Sequence, residues 1–142
     1  MSETENPIPR VLEAYKKAVL AKDVDAFVAL YDRDVRVFDM WGSWSYEGAA
    51  AWRTMVAGWF GSLGTERVAV EFADVQSIAT PALAVCHAFV TYKGLSGDGE
   101  ALRAMQNRLT WTLEPRDGEW KIVHEHSSAP VDFETAKVIL KR

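Results

Sequence analysis

The stretch Asn107-Arg-Leu-Thr-Trp-Thr-Leu-Glu-Pro-Arg-Asp-Gly-Glu-Trp-Lys-Ile-Val-His-Glu-His-Ser-Ser128 predicts two β-strands joined by a tight turn. Leu109, Trp111 and Leu113 alternate with polar residues, which is the period of a half-buried strand. The turn falls at 115–118, because proline fixes φ near a turn value and glycine tolerates positive φ. A long hairpin late in the chain needs earlier strands to pair with, and the rest of the sequence supplies them.

The second strand of this hairpin alternates as well. Strict alternation predicts one face that carries Trp120, Ile122, His124 and His126. The opposite face would then carry Lys121, Val123, Glu125 and Ser127.

Length and composition limit the class of protein. The 142 residues predict a single domain, 1–142, with a loose tail at 1–6 and a C-terminal extension at 129–142. The net charge of −4, with no basic cluster, argues against a nucleic-acid partner. The only cysteine, Cys86, rules out an internal disulfide and is typical of a reducing compartment. No apolar run approaches the ~20 residues of a membrane span, and the N-terminus is unlike a signal peptide. We therefore expect a soluble, cytoplasmic protein with no membrane partner.

Helical periodicity appears in the first half of the chain. Apolar residues at helical spacing predict a helix over about 7–21 and another over about 49–62. Asp23 favours the start of a short helix between them. A last helix is predicted after Pro130, with Asp132 as its cap.

The remaining segments predict strands at 35–40, 67–79, 82–93, 101–114 and 119–128, with a bulge near Ala73-Asp74. This order predicts an α+β fold, in which three N-terminal helices cover one face of a curved antiparallel sheet. The strand at 82–93 is apolar on both faces, which favours a homodimer formed through the outer sheet face.

Two stretches carry a family resemblance. Residues 14–42, from Ala14-Tyr-Lys-Lys to Asp-Met-Trp-Gly42, resemble the opening of a ketosteroid isomerase. Residues 116–130, with Gly-Glu-Trp-Lys-Ile-Val-His-Glu-His-Ser, resemble the closing hairpin of the calcium/calmodulin-dependent kinase II association domain. The whole chain resembles the nuclear transport factor 2-like superfamily, the cone-shaped, cystatin-like fold of ketosteroid isomerases and SnoaL-like proteins. That superfamily contains enzymes, binding proteins and assembly modules.

The resemblance implies two catalytic residues. Tyr15 falls on the oxyanion tyrosine of the ketosteroid isomerases, and Asp39 falls on their general-base aspartate. An Asp39 in apolar surroundings would have a raised pKa, which suits proton abstraction next to a carbonyl. The alternatives are a strand-end acid that accepts backbone hydrogen bonds and a core tyrosine. The family's third group, a protonated aspartate, has no counterpart in the strand 107–112, so the resemblance stops short of a full steroid-isomerase site.

Ligand-binding candidates surround these two residues. An inward Arg108 would bind a carboxylate through a bidentate pair, whereas an outward one would pair with an acid at the sheet surface. An aromatic cluster favours a pocket for a flat or apolar ligand, although Trp52 and Trp59 equally fit a core. The predicted ligand-binding residues are Arg108, Trp41, Trp44, Trp52, Met55, Trp59, Phe60, Trp111 and His126.

Two other chemistries are not favoured. His87, His124 and His126 lack the acids or cysteines of a metal site and equally suit a hydrogen-bonded sheet end, so we predict no metal and no other cofactor. Cys86 lies among Ala and Val, where a thiol behaves as a small hydrophobe.

Two hypotheses of function remain. In the first, the protein is an isomerase or lyase that moves a proton on a small apolar carbonyl compound, with Asp39 as base and Tyr15 or Arg108 at the oxyanion. In the second, it is a non-catalytic module that binds a small apolar or carboxylate-bearing molecule or mediates oligomerisation.

Overall fold

The computed structural model describes residues 6–142. Three helices precede most of the sheet: α1 (Ile8–Ala21), α2 (Val24–Val28) and α3 (Ala49–Ser62). Asp23 caps α2, since its carboxylate accepts a hydrogen bond of 3.0 Å from the Ala26 N–H. The predicted loose tail at 1–6 lies outside the described residues except for Asn6, whose side chain accepts from the Ile8 N–H at the start of α1.

Within residues 6–142, six strands form one sheet in the order β2-β1-β6-β5-β4-β3. They are β1 (Tyr31–Phe38), β2 (Tyr46–Glu47), β3 (Arg67–Ala79), β4 (Ala84–Leu95), β5 (Ala101–Arg116) and β6 (Glu119–Ser128). All neighbours are antiparallel except β1 and β6, which run parallel. The β5–β6 turn is Asp117-Gly118, and both residues have positive φ, as a two-residue hairpin turn requires.

The core lies between the helices and the inner face of the sheet. Helix α1 buries the apolar stripe that contains Ile8, Val11 and Val19, and α3 buries Trp52, Val56 and Phe60. The strands contribute their inward alternate residues, among them Val90, Trp111 and Leu113, which are inaccessible to solvent. The predicted α+β class is confirmed, as is the bulge in β3, where the register shifts between Ala73 and Gln76.

The predicted faces of β6 are wrong beyond Ile122. On β5, Thr112 and Leu113 are consecutive, but their partners on β6 are His124 and Ile122. The extra residue, Val123, makes a β-bulge, which reverses the side-chain alternation that follows it. Glu125 and Ser127 therefore point into the core and are buried, whereas His124 and His126 belong to the outer face.

The predicted C-terminal helix does not form. The Asp132 carboxylate accepts hydrogen bonds from the N–H groups of Glu134 and Thr135, which makes a local turn. Ala136 has φ of 59°, which a helix cannot continue, and Val131 pairs with Val138 instead. The segment then runs beside β5, where the Leu140 carbonyl accepts from the Gln106 N–H at 2.8 Å.

Smaller differences concern the start of the first strand and the loop that follows it. The first strand begins at Tyr31 rather than 35, because Tyr31 already pairs with Ile122 of β6. The predicted loop at 41–48 contains the two-residue strand β2, which pairs with Arg36 and Val37. Among residues 6–142, none of the helices combines the length and the apolar character that crossing a membrane would require.

Candidate functional site

A cavity of about 690 Å³ opens between α3, the loop after β1 and the inner face of the sheet. Aromatic and aliphatic side chains make up much of its lining: Trp41, Tyr46, Met55, Trp59, Leu63, Val68 and Met105. Its polar groups are Asp39, in the loop after β1, and Tyr92, Arg103 and Asn107 on β4 and β5. The C-terminal segment adds Leu140 to the wall. The volume and the lining are typical of a site for a small, mainly apolar molecule.

Asp39 lies on the cavity wall immediately after β1 and is half-buried. Its carboxylate accepts a hydrogen bond from the Ser127 hydroxyl at 3.2 Å and a longer one from the Trp41 N–H at 3.4 Å. Burial raises the pKa of Asp39, and the hydrogen bonds from Trp41, Ser127 and Met40 only partly offset that effect. The residue thus accepts a backbone hydrogen bond at a strand end and also presents a carboxylate with a raised pKa to an apolar cavity.

Tyr15 does not line the cavity; it is a buried residue of α1 in the core. Its hydroxyl lies 2.9 Å from the hydroxyl of Tyr92, and Tyr92 does line the cavity. Burial raises the pKa of both phenols, so both remain protonated near neutral pH. Two neutral hydroxyls in series form a chain in which one donates to the other, and Tyr92 is the member that meets the cavity.

Asn107 is an inward residue of β5, within the stretch 107–112 that has no counterpart to the protonated aspartate of the ketosteroid isomerases. It is buried and lines the cavity, and its amide donates weakly to the Met40 sulfur at 3.4 Å. Its side-chain oxygen has no hydrogen-bond partner among the described residues. An unpaired buried acceptor is costly, so this amide is a polar group that a ligand can satisfy.

Glu125 is a buried acid that the sequence-based alternation placed on the wrong face. Its Oε1 accepts from the Tyr31 hydroxyl at 2.5 Å and from the Trp111 indole N–H at 2.8 Å. Burial raises the pKa of Glu125 to about 7, against the effect of these two hydrogen bonds, and the charge of Asp39 raises it further. Only the bulge at Val123 turns this residue inward, and the sequence carries no clear signal for that bulge.

The predicted ligand-binding residues divide into three groups. Trp41, Met55 and Trp59 line the cavity. Trp52, Phe60 and Trp111 belong instead to the buried core. Trp44 and His126 are exposed and border a separate depression on the other side of the Asp39 loop.

Arg108 does not line the cavity either. Asn107 and Leu109 point inward, so Arg108 points to the outer face, where its guanidinium donates to the Ser128 hydroxyl at 3.1 Å. It borders a shallow depression there together with His87 and His126. The cationic group among the cavity-lining residues is Arg103, five residues earlier on the same strand.

The histidines and the cysteine have ordinary structural surroundings. The His124 ring contacts the Arg36 carbonyl at 2.8 Å, and the rings of His124 and His126 pack edge-on against Phe38. Within residues 6–142, His, Cys, Asp and Glu side chains nowhere gather in a group of three that a metal ion would need. Cys86 is buried, and burial raises the pKa of its thiol to about 11.

Helices on one face of a curved sheet, with an acid and a tyrosine on the wall of the cavity between them, define a protein of the nuclear transport factor 2-like class. A family model, the SnoaL-like domain, matches residues 8–132. The chain therefore belongs to the SnoaL-like domain family. Among curated proteins, none matches the sequence.

Solved structures give the same class. A nuclear transport factor 2-like protein of unknown function from Pseudomonas putida KT2440 is similar over 95% of this chain and 92% of its own, with 27% identity and a TM-score of 0.83. An uncharacterised cystatin-like-fold protein from Caulobacter vibrioides covers 85% of each chain, with 17% identity and a TM-score of 0.69. A candidate calcium/calmodulin-dependent kinase II association domain from Xanthomonas campestris covers 92% of this chain and 95% of its own, with 17% identity and a TM-score of 0.68. The latter two, given their low identity, support the fold alone.

Proposed function

We propose that the protein binds a small, mainly apolar carbonyl compound in the cavity and moves a proton on it, with Asp39 as general base. The observation that carries the proposal is the position of the Asp39 carboxylate, half-buried on the wall of an apolar cavity. Its raised pKa, caused by burial, strengthens it as a base.

Tyr92 would stabilise the oxyanion that forms when the proton leaves. It lines the same cavity, and its hydroxyl is neutral and hydrogen-bonded to Tyr15. Tyr15 then acts through Tyr92, as a positioning residue rather than as a group that touches the substrate. This differs from the arrangement that the resemblance implies, in which Tyr15 itself meets the oxyanion.

The test uses α-tetralone, a bicyclic aromatic ketone, as a probe. The wild-type protein should speed the exchange of its α-protons with deuterium oxide, measured by NMR. Asp39→Asn should abolish the exchange, and Tyr92→Phe should reduce it tenfold or more. Asp34→Asn is the matched control, because Asp34 is an exposed acid of β1, the strand that leads to Asp39. Exchange that persists in Asp39→Asn at the wild-type rate would remove Asp39 as the base.

The second candidate function is non-catalytic ligand binding. It is favoured by Asn107, which stands in the cavity wall on the strand where a ketosteroid isomerase has its second oxyanion donor, an acid. Binding of α-tetralone without any exchange above background in the wild type would support this function over catalysis.

We also propose a homodimer formed through the outer sheet face. Ile78 is 75% exposed there, next to the half-buried Val85 across the β3–β4 pair. Sedimentation equilibrium should give twice the mass of the chain, and Ile78→Lys should weaken the association. A monomer at all concentrations would exclude this assembly.

A further inference from the structure

The inward positions of β5 form a row along the cavity. Asn107, Met105 and Arg103 are alternate residues of the strand, and all three line the cavity, as does Ala104 between Met105 and Arg103. On the neighbouring strand, Tyr92 is paired with Met105 and Gly94 with Arg103. The row therefore runs from the Tyr92–Asn107 polar groups to the guanidinium of Arg103.

Gly94, which has no side chain, leaves the space that the Arg103 side chain occupies. A Cβ at Gly94 would lie 3.3 Å from Cγ and 3.4 Å from Cζ of Arg103, closer than ordinary contact. The arginine thus lies across the bare backbone of its partner residue and along the inner face of the sheet. A side chain at Gly94 would occupy that space and push the guanidinium away from the cavity wall.

Arg103 and Asp39 carry the formal charges among the lining residues. Arg103 is paired with Glu66, and the side chains are 62% and 35% exposed. An exposed ion pair of this kind contributes little to stability. A ligand carboxylate can therefore replace Glu66 at the guanidinium, where it would gain a bidentate geometry and the apolar surroundings of the cavity.

The strand geometry sets the length of such a ligand. Gly94 is two positions along the strand from Tyr92, which corresponds to about 7 Å of strand length. Arg103 is four positions from Asn107, which corresponds to about 13 Å. A carboxylate at Arg103 thus leaves room for a ring system between it and the polar end of the cavity.

We propose that Arg103 binds the carboxylate of the substrate, so that the cavity takes an apolar keto acid whose carbonyl lies about 7–13 Å from its acid group. The inference rests on the proposed function, because it assigns the substrate class of the same cavity. Arg103 then takes the role of binding an acid that the sequence suggested for Arg108, because Arg108 faces the opposite side of the sheet.

The test compares 1-naphthaleneacetic acid with its neutral primary amide, which has nearly the same shape, by isothermal titration calorimetry. Wild-type protein should bind the acid at least tenfold more tightly than the amide. Arg103→Gln should remove this preference and leave the affinity for the amide unchanged. Glu66→Gln should strengthen binding of the acid several-fold, because it removes the competing carboxylate.

Arg108→Gln is the matched control and should leave both affinities unchanged. Equal binding of acid and amide, unaltered by Arg103→Gln, would overturn the assignment of Arg103 and leave an apolar binding cavity. Loss of the preference in Arg108→Gln instead would move the acid site to the outer face. If neither compound binds, the assignment of Arg103 fails, while the proton-exchange assay with α-tetralone decides the proposed function separately.

Discussion

Replacing Glu125 with glutamine tests the buried acid directly. The side chain is 3% exposed, and its Oε1 accepts from Tyr31 and Trp111. A glutamine keeps an acceptor oxygen for both donors and removes the titration. The variant therefore isolates the effect of the proton.

The magnitude follows from the difference between the folded and the unfolded pKa of Glu125. Burial raises the folded pKa from 4.5 to about 7, and each unit is worth about 1.4 kcal/mol, so the proton contributes on the order of 3 kcal/mol. Because the folded pKa is the higher one, the folded state holds the proton more tightly. This contribution is fully present below about pH 4.5. It is lost as the pH rises through about 7.

The assay is urea denaturation followed by tryptophan fluorescence between pH 5 and pH 8. The free energy of unfolding of the wild type should fall by about 2–3 kcal/mol more over this range than that of Glu125→Gln. Glu119→Gln is the control, because Glu119 lies on the same strand and its side chain is 73% exposed. Parallel pH profiles for wild type and Glu125→Gln would refute the reasoning, because Glu125 would then be ionised in the folded protein as it is in water.

Three further predictions concern stability and reactivity. Trp111→Phe should lower the free energy of unfolding, measured in urea titrations, by about 2–4 kcal/mol. The substitution leaves a cavity at a fully buried site and removes the indole N–H that donates to Glu125. A loss below about 1 kcal/mol would contradict this prediction. Asp23→Ala should cost about 1 kcal/mol by removing the cap of α2, whereas Asp23→Asn should cost much less. Cys86 should react with iodoacetamide at pH 8 on the order of a hundredfold more slowly in the folded protein than in urea, since burial raises the pKa of its thiol to about 11; equal rates would mean an accessible thiolate.

Local patterns in the sequence determined most of the elements. The helical stripe around Val11 and Val19 and the period of α3 predicted both long helices within one residue of their bounds. Alternation around Val68 and Val70 predicted β3, and the polar residue Asp23 marked the start of α2. These signals are local, because a helix face or strand face is set by residues that are neighbours in the chain. The resemblance at 14–42 added Asp39, which lies on the cavity wall.

Apart from Asp39, tertiary structure decided which polar groups meet the cavity. One extra residue at Val123, fixed by the pairing of β6 with both β1 and β5, turned Glu125 inward. Arg108 and Arg103 look alike in the sequence, yet strand parity and the bare backbone of Gly94 bring only Arg103 to the cavity. Side-chain direction in a strand has a period of two, so a single bulge or a shift of one residue exchanges the two faces, and the contacts that fix the register come from distant parts of the chain.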